Sequence, residues 1–279
     1  MSCDDSGVDM VAAAVELARK LGIVVEEPVP LRSTNNYVIW LRPSAVVAKI
    51  SEERGRSAHE LAVGRLLADA GAPVVPPAER FGRRLYRVGD WGVTFWRYES
   101  QENITEPSPE SVAQALGAMH QALMTLRGNE PTQTCEEQIT DAVRALDRLE
   151  FAPELKMDDR ALLRQALRKS QGTLAKAIDT GGRIIHGSPH RLNIVVVAGS
   201  PRFIDFETVQ RGPYEWDLAH LEPEVATHYP GTLDFEMVTL CRLLVSATTS
   251  TWCWGGLHRG PDMRGHAEHH LAAVRSALN

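Results

Sequence analysis

No stretch of this chain is apolar for long enough to cross a bilayer, and its first residues have neither the basic start nor the apolar run of a secretory signal. A basic excess is also missing. The 30 Lys and Arg residues are outnumbered by 36 Asp and Glu, giving a net charge of −6, which argues against a nucleic-acid binder. Only four cysteines occur, Cys3, Cys135, Cys241 and Cys253, and they form neither a CxxC pair nor a secreted-disulfide spacing. Internal repeats and low-complexity tracts are absent as well. A reduced, cytoplasmic protein with no membrane or nucleic-acid partner is the expectation. What remains is an ordinary globular balance, 43% hydrophobic and 24% charged over 279 residues. That is ample for one large domain or two lobes sharing an interface.

The texture changes along the chain. Residues 8–21 put Val11, Val15 and Ala18 on one helical face before Gly22. NNYVIWL and AVVAKI read as two short strands with a turn at Arg42-Pro43-Ser44. A helix is expected from Ser57, where Ser57-Ala58-His59-Glu60 has the capping-box pattern, up to Gly71. LYRVG and WGVTFWRY form the next hairpin, turning at Gly89-Asp90. Beyond Ser100 helices dominate, at 109–126, 137–149 and 158–178. Strand character returns at 183–209 before the helical C-terminal part. The changeover near Glu99–Gln101 suggests an N-terminal lobe over 1–98 and a C-terminal lobe over 99–279.

Chemistry concentrates in Ile185-His186-Gly187-Ser188-Pro189-His190-Arg191-Leu192-Asn193 and, after a hairpin, Ile204-Asp205-Phe206-Glu207. The hairpin brings Asn193 and Asp205 to neighbouring strand ends, where an amide oxygen and a carboxylate suit Mg²⁺. Taken singly, such residues often only cap turns. Lys49 ends a strand whose valines suggest burial, and a buried ammonium needs a counter-charge such as Glu60 on the following helix. A snorkelling lysine and a capping-box glutamate are the plainer readings of that pair. The ordered series of Lys, Glu, a His-Gly loop, Asn and Asp carries more than its parts.

This series resembles the aminoglycoside phosphotransferases and their choline-kinase-like relatives. The family's catalytic loop, H-G-D-x-x-x-x-N, stands here as His186 to Asn193. Its metal motif matches Ile204-Asp205-Phe206-Glu207, and G-P-x-x-x-D-L-A matches Gly212 to Ala219. The resemblance implies an α+β, bilobal protein-kinase-like fold. A small antiparallel β-sheet lobe with one main helix would precede a larger, mainly helical lobe. It implies ATP and Mg²⁺ as cofactors and a small-molecule hydroxyl acceptor as partner, in a monomer or homodimer. On this reading Lys49 positions the phosphates and Glu60 holds it. Ser33, Thr34 and Asn35 meet the nucleotide, Trp96 and Tyr98 lie in the hinge that cradles adenine, and Asn193 and Asp205 hold metal. Asp217 would support the catalytic loop.

Two departures stand out. The nucleotide loop, Arg32 to Tyr37, has no glycine. Ser188 occupies the position of the catalytic aspartate, and a serine hydroxyl is no general base at neutral pH without help. Ser188 and His190 are therefore the candidate catalytic residues, His190 as a substitute base or merely as a loop-ordering group. A slow phosphotransferase and a nucleotide-binding pseudokinase with a regulatory or ligand-binding role are the competing outcomes. Glu207, Glu215, Asp217, Glu222 and Glu224 either attract a cationic acceptor such as an aminosugar antibiotic or form an ordinary acidic surface. His266, His269 and His270, at helical spacing, are expected on a solvated terminal helix rather than around Zn²⁺.

Overall fold

The computed structural model describes residues 3–33, 36–52, 55–100, 106–126 and 133–278. The chain divides into two compact units, one of Met1–Ser111 with Asn193–Glu207, the other of Val112–Leu192 with Thr208–Asn279. The first unit therefore runs past the changeover expected at 98–99 and takes in a hairpin from far along the chain.

Helix α1 (Cys3–Lys20) opens the first unit, and strands β1 (Val25–Ser33), β2 (Tyr37–Pro43) and β3 (Val46–Glu52) follow. Helix α2 (Arg56–Asp69) precedes β4 (Tyr86–Val88) and β5 (Trp91–Arg97). The five strands form one antiparallel sheet in the order β1-β2-β3-β5-β4. Its core is built from Ala14 and Ala18 of α1 with Ile39, Leu41, Ala48, Ile50, Val93 and Phe95 of the strands. Strand β1 gives little sequence signal because Pro28 and Pro30 interrupt it. Proline is tolerated there because β1 is an edge strand with register shifts. The Arg42–Ser44 turn also shifts, since β2 continues through Pro43, which pairs with Val25.

Hairpin β7 (Ile194–Val197) and β8 (Ser200–Phe203) joins the first unit through main-chain bonds. Val75 N–H donates to Phe203 O at 3.1 Å, and Phe203 N–H donates to Pro73 O at 2.9 Å.

The capping box expected at Ser57 does not form. Gly55, with φ of 79°, is the N-cap of α2 and no side chain caps the helix. Ser57 Oγ instead pairs with Ser51 Oγ at 2.6 Å, and Glu60 is drawn into a buried ion pair. A carboxyl group with 2% of its side chain exposed requires a partner more than a helix end requires a cap. A full capping box does occur at Thr134 and Glu137, before α4 (Cys135–Asp147), two residues upstream of the expected start.

The second unit is mainly helical: most of α3 (Pro109–Leu123), then α4, α5 (Met157–Gly181), α6 (Tyr214–Leu218), α7 (Pro223–Thr227), α8 (Phe235–Gly255) and α9 (Asp262–Leu278). A short pair, β6 (Arg183–Ile185) with β9 (Gln210–Gly212), holds the loop that begins at His186. Leu163, Leu167, Leu174, Leu244, Leu271 and Val274 are among its core residues. Arg160 is buried in this unit, donating to the carbonyls of Leu146 at 2.7 Å and Ala152 at 2.6 Å where α4 ends. His266 and His269 face outward on α9, while His270 Nδ1 lies 3.4 Å from Ser246 Oγ. No helix among the described residues is long and apolar enough to cross a membrane.

Gly64, one turn after Glu60 on α2, fixes how closely the helix meets β5. A Cβ there would lie 2.7 Å from the Trp96 ring and 3.4 Å from Phe206. Alanine gains about 0.8–1.0 kcal/mol in helix propensity, but overpacking costs about 1–3 kcal/mol. Gly64→Ala should therefore lower the unfolding free energy in urea by up to about 2 kcal/mol; a more stable variant would show the contact to be loose.

Candidate active site

Lys49 sits in mid-sheet, its Cα paired with Val38 on one side and Thr94 on the other. Its side chain is only 8% exposed. The ammonium has three carboxylate neighbours: Glu60 Oε1 at 2.8 Å, Asp205 Oδ1 at 2.9 Å and Glu207 Oε1 at 2.8 Å. Burial alone would depress the lysine, but Glu60, Asp205 and Glu207 outweigh it and hold Lys49 above its ordinary value. Burial pushes Glu60 up, Asp205 and Glu207 add to the rise, and Lys49 opposes it. Glu60 Oε2 is buried without a hydrogen-bond partner.

Asp205 and Glu207 reach the lysine because the chain turns sharply after β8. Asp205 has a φ of 69°, a left-handed conformation that aspartate tolerates better than most residues. Glu207 follows in a single 3₁₀ turn, Phe206–Thr208. Asn193 stands at the same open end of the hairpin, just before β7, its carbonyl accepting from Ile204 N–H at 3.0 Å. The β1–β2 hairpin closes on the same residues. Arg32 Nη1 donates to Asn193 Oδ1 at 3.3 Å, and Asn36 Nδ2 donates to Glu207 Oε1 at 2.9 Å. One oxygen each from Glu60, Asp205 and Glu207 lie within 4.8 Å of one another. This oxygen-only donor set suits a hard divalent cation.

The sequence-predicted residues separate into groups. Lys49, Glu60 and Asp205 meet in one cluster, with Asn193 at the near end of the Asp205 hairpin. Glu207, expected within the IDFE motif and among the acidic residues that could draw a cationic acceptor, instead joins this cluster as a second carboxylate two residues beyond Asp205. Trp96 packs against Phe206 with ring centroids 6.3 Å apart, and its Nε1 donates to Thr94 Oγ1 at 2.9 Å. Tyr98 stacks on Trp40, centroids 4.0 Å apart. Thr34, Asn35 and the Ser33 side chain lie outside the described residues.

Ser188 and His190 belong to the second unit, in the loop after β6. Gly187 has a φ of 88°, and a Cβ there would fall 2.1 Å from Thr208 O, so only glycine fits. The loop hangs on Asp217, which is fully buried. Asp217 Oδ2 accepts from His186 N–H and Oδ1 from Gly187 N–H, both at 2.8 Å. His120 Nε2 donates to Asp217 Oδ2 at 2.9 Å, and its Nδ1 meets the Tyr229 hydroxyl at 2.7 Å. Burial would raise Asp217, but the bonds from His120 and Gly187 outweigh it and hold the carboxyl below its ordinary value. Trp216 Nε1 completes the support, donating to Gly187 O at 3.1 Å. His120 escaped the sequence reading because it is one more residue on the buried face of α3. Ser188 N–H donates to His186 Nδ1 at 3.4 Å.

The acidic residues expected to draw a cationic acceptor are mostly committed elsewhere. Asp217 holds the loop, Glu207 pairs with Lys49, and Glu215 Oε1 accepts from Asp234 N–H at 2.9 Å. Glu222 and Glu224 remain at the surface.

Residues 27–237 match the model of the phosphotransferase enzyme family. No curated protein sequence matches the chain. Among solved structures, the choline kinase LicA of Streptococcus pneumoniae aligns with a TM-score of 0.67 at 16% identity, covering 94% of this chain and 97% of that one. The amicoumacin kinase hAmiN, in complex with AMP-PNP, Ca²⁺ and Ami, aligns at 0.69 and 14% identity, over 97% and 96%. A spectinomycin phosphotransferase with ADP and spectinomycin aligns at 0.68 and 14% identity, over 95% and 96%. At these identities the likeness establishes the protein-kinase-like fold.

Near Trp216 lies one further titratable group, the half-buried His220. His220 Nε2 is buried and unpartnered, and burial pulls the imidazole down to about 3 from an ordinary value of 6.5. The unfolded chain therefore binds its proton first on acidification, so stability is full above about pH 6.5 and is lost as pH falls. Each pH unit between about 6.5 and 3 should cost up to about 1.4 kcal/mol through this group. Urea titrations of the wild type and His220→Gln should converge with falling pH; parallel curves would show that His220 is solvated.

Proposed function

The chain belongs to the phosphotransferase enzyme family, and from that premise we propose that it transfers the γ-phosphate of ATP, with Mg²⁺, to a hydroxyl of a small molecule. The observation that carries this reading is the buried Lys49 ammonium among Glu60, Asp205 and Glu207. A sheet interior has no structural need for one ammonium and three carboxylates, since well-packed apolar residues are at least as stable there. A site for polyanionic phosphate and a hard cation does need them.

In this reading Asp205, Asn193 and Glu207 hold Mg²⁺, and Glu60, itself buried, fixes Lys49 for the nucleotide's phosphates. Bound Mg²⁺ would neutralise charge on the transferring phosphoryl group. Ser188 and His190 face the acceptor, on a loop that Asp217, His120 and Trp216 keep in one backbone conformation. Phosphoryl transfer depends mainly on positioning and charge stabilisation, so serine in place of aspartate slows rather than forbids the reaction. An aminosugar acceptor is supported only by Glu222 and Glu224. Ser188 also favours a second reading, a pseudokinase that binds nucleotide without turnover.

Two measurements test these readings. Replacing Lys49 alone would strand a buried Glu60, at a cost of about 3–5 kcal/mol, so the pair must be neutralised together. Lys49→Met with Glu60→Gln should stay folded and bind Mg·ATP about 10- to 100-fold more weakly, the worth of a charge-assisted bond to phosphate. Unchanged affinity by calorimetry would remove Lys49 from the nucleotide site.

Ser188→Asp should raise single-turnover transfer from labelled ATP by about 10²–10⁴-fold, the usual worth of a positioned general base. ATP affinity should hardly change. A panel of aminosugar and nucleoside hydroxyls supplies the acceptor. Nucleotide binding with no transfer to any acceptor, in wild type and variant alike, would establish the pseudokinase.

A further inference from the structure

The oxygen atoms suited to a divalent cation are already engaged by donors of the same unit. Lys49 donates to Asp205 Oδ1 at 2.9 Å and to Glu207 Oε1 at 2.8 Å. Asn36 donates to Glu207 Oε1 at 2.9 Å, and Arg32 donates to Asn193 Oδ1 at 3.3 Å. Two of these donors, Arg32 and Asn36, come from the β1–β2 hairpin, whose tip has no glycine. Without glycine, backbone amides approach a phosphate less closely, and side chains must supply the contacts. Arg32 offers a planar fork of donors suited to phosphate oxygens. Its bond to Asn193 is at the long end of the hydrogen-bond range and joins a cation to a neutral amide. It is therefore a weak bond to give up.

We infer that Arg32 is a phosphate-binding residue that, without nucleotide, masks the metal ligand Asn193, so that divalent cation and nucleoside polyphosphate bind strongly only together. This inference rests on the nucleotide-binding reading above. The exchange is one of partners only. As metal and nucleotide arrive, Asn193 Oδ1 passes from Arg32 to the cation and the guanidinium passes to phosphate oxygens. No covalent bond changes. The donors already in place favour the exchange. Lys49 holds Glu60, Asp205 and Glu207, and Arg32 holds the Asn193 amide oxygen. A lone divalent cation must therefore displace cations already in place, whereas a metal–nucleotide pair gives them new anions. Coupling of this kind is reciprocal: each ligand raises the other's affinity by the same factor.

The inference predicts opposite changes in one variant. In Arg32→Ala, Mn²⁺ without nucleotide, measured by electron paramagnetic resonance, should bind more tightly than in wild type, because Asn193 is released. Mg·ATP should bind about tenfold or more weakly by calorimetry, the worth of a lost charge-assisted bond. Adenosine, which has no phosphates, should bind both proteins equally. Arg32→Lys, which keeps the charge, should recover part of the ATP affinity and also serves if the alanine variant fails to fold. A purely structural arginine would weaken Mn²⁺, ATP and adenosine together, and that result overturns the inference. So does a wild type that binds Mg·ATP while Arg32→Ala matches it in both measurements; in that case the nucleotide-binding reading survives. A wild type that binds neither ATP nor ADP overturns both.

Discussion

The ammonium of Lys49 lies in a space that is almost closed to water, and much of the first unit is arranged to keep it charged there. Breaking such a pair by removing one partner costs about 3–5 kcal/mol, because the remaining charge is stranded in low dielectric. That magnitude exceeds the worth of a helix cap, about 1 kcal/mol, which is why Glu60 turns to Lys49 and leaves the start of α2 to Gly55. It also gives the β7–β8 hairpin a reason to belong to the N-terminal unit. Asp205 and Glu207 follow that hairpin, which is anchored where Phe203 is bonded to Pro73 and Val75.

The second unit handles its buried charge differently. Asp217 collects two backbone N–H groups and one imidazole. Bonds of this kind stabilise an ion and also fix the chain that donates them. The His186-Gly187 backbone is thereby held from one side by Asp217 and from the other by Trp216. Gly187 is required because its left-handed backbone passes within contact of Thr208 O. The backbone that leads into Ser188 is thus held in one conformation.

The sheet and the helices were legible where hydrophobic period and turn chemistry agreed. The hairpin at Gly89-Asp90, the strands around Trp40 and Lys49, and the helices after Ser108 all follow local rules. Reading failed where tertiary context outweighed the local signal. Two prolines hid β1, an edge strand that tolerates them. The serine and glutamate of an apparent capping box were claimed by Ser51 and Lys49, while the true box lay at Thr134 and Glu137.

The sequence by itself determined the order of the chemistry-bearing residues. Lys49, Glu60, the His186-Gly187 loop, Asn193, Asp205 and Asp217 are spaced in a pattern that identifies the family, because motif spacing survives where overall identity does not. Only the tertiary structure decided which of them touch. That Glu207 joins Asp205 on Lys49, that Arg32 reaches Asn193 across 161 positions, and that His120 props Asp217 across 97 are consequences of packing. No local rule encodes such contacts. They follow from burial, which obliges each charge to find a partner wherever the folded chain provides one.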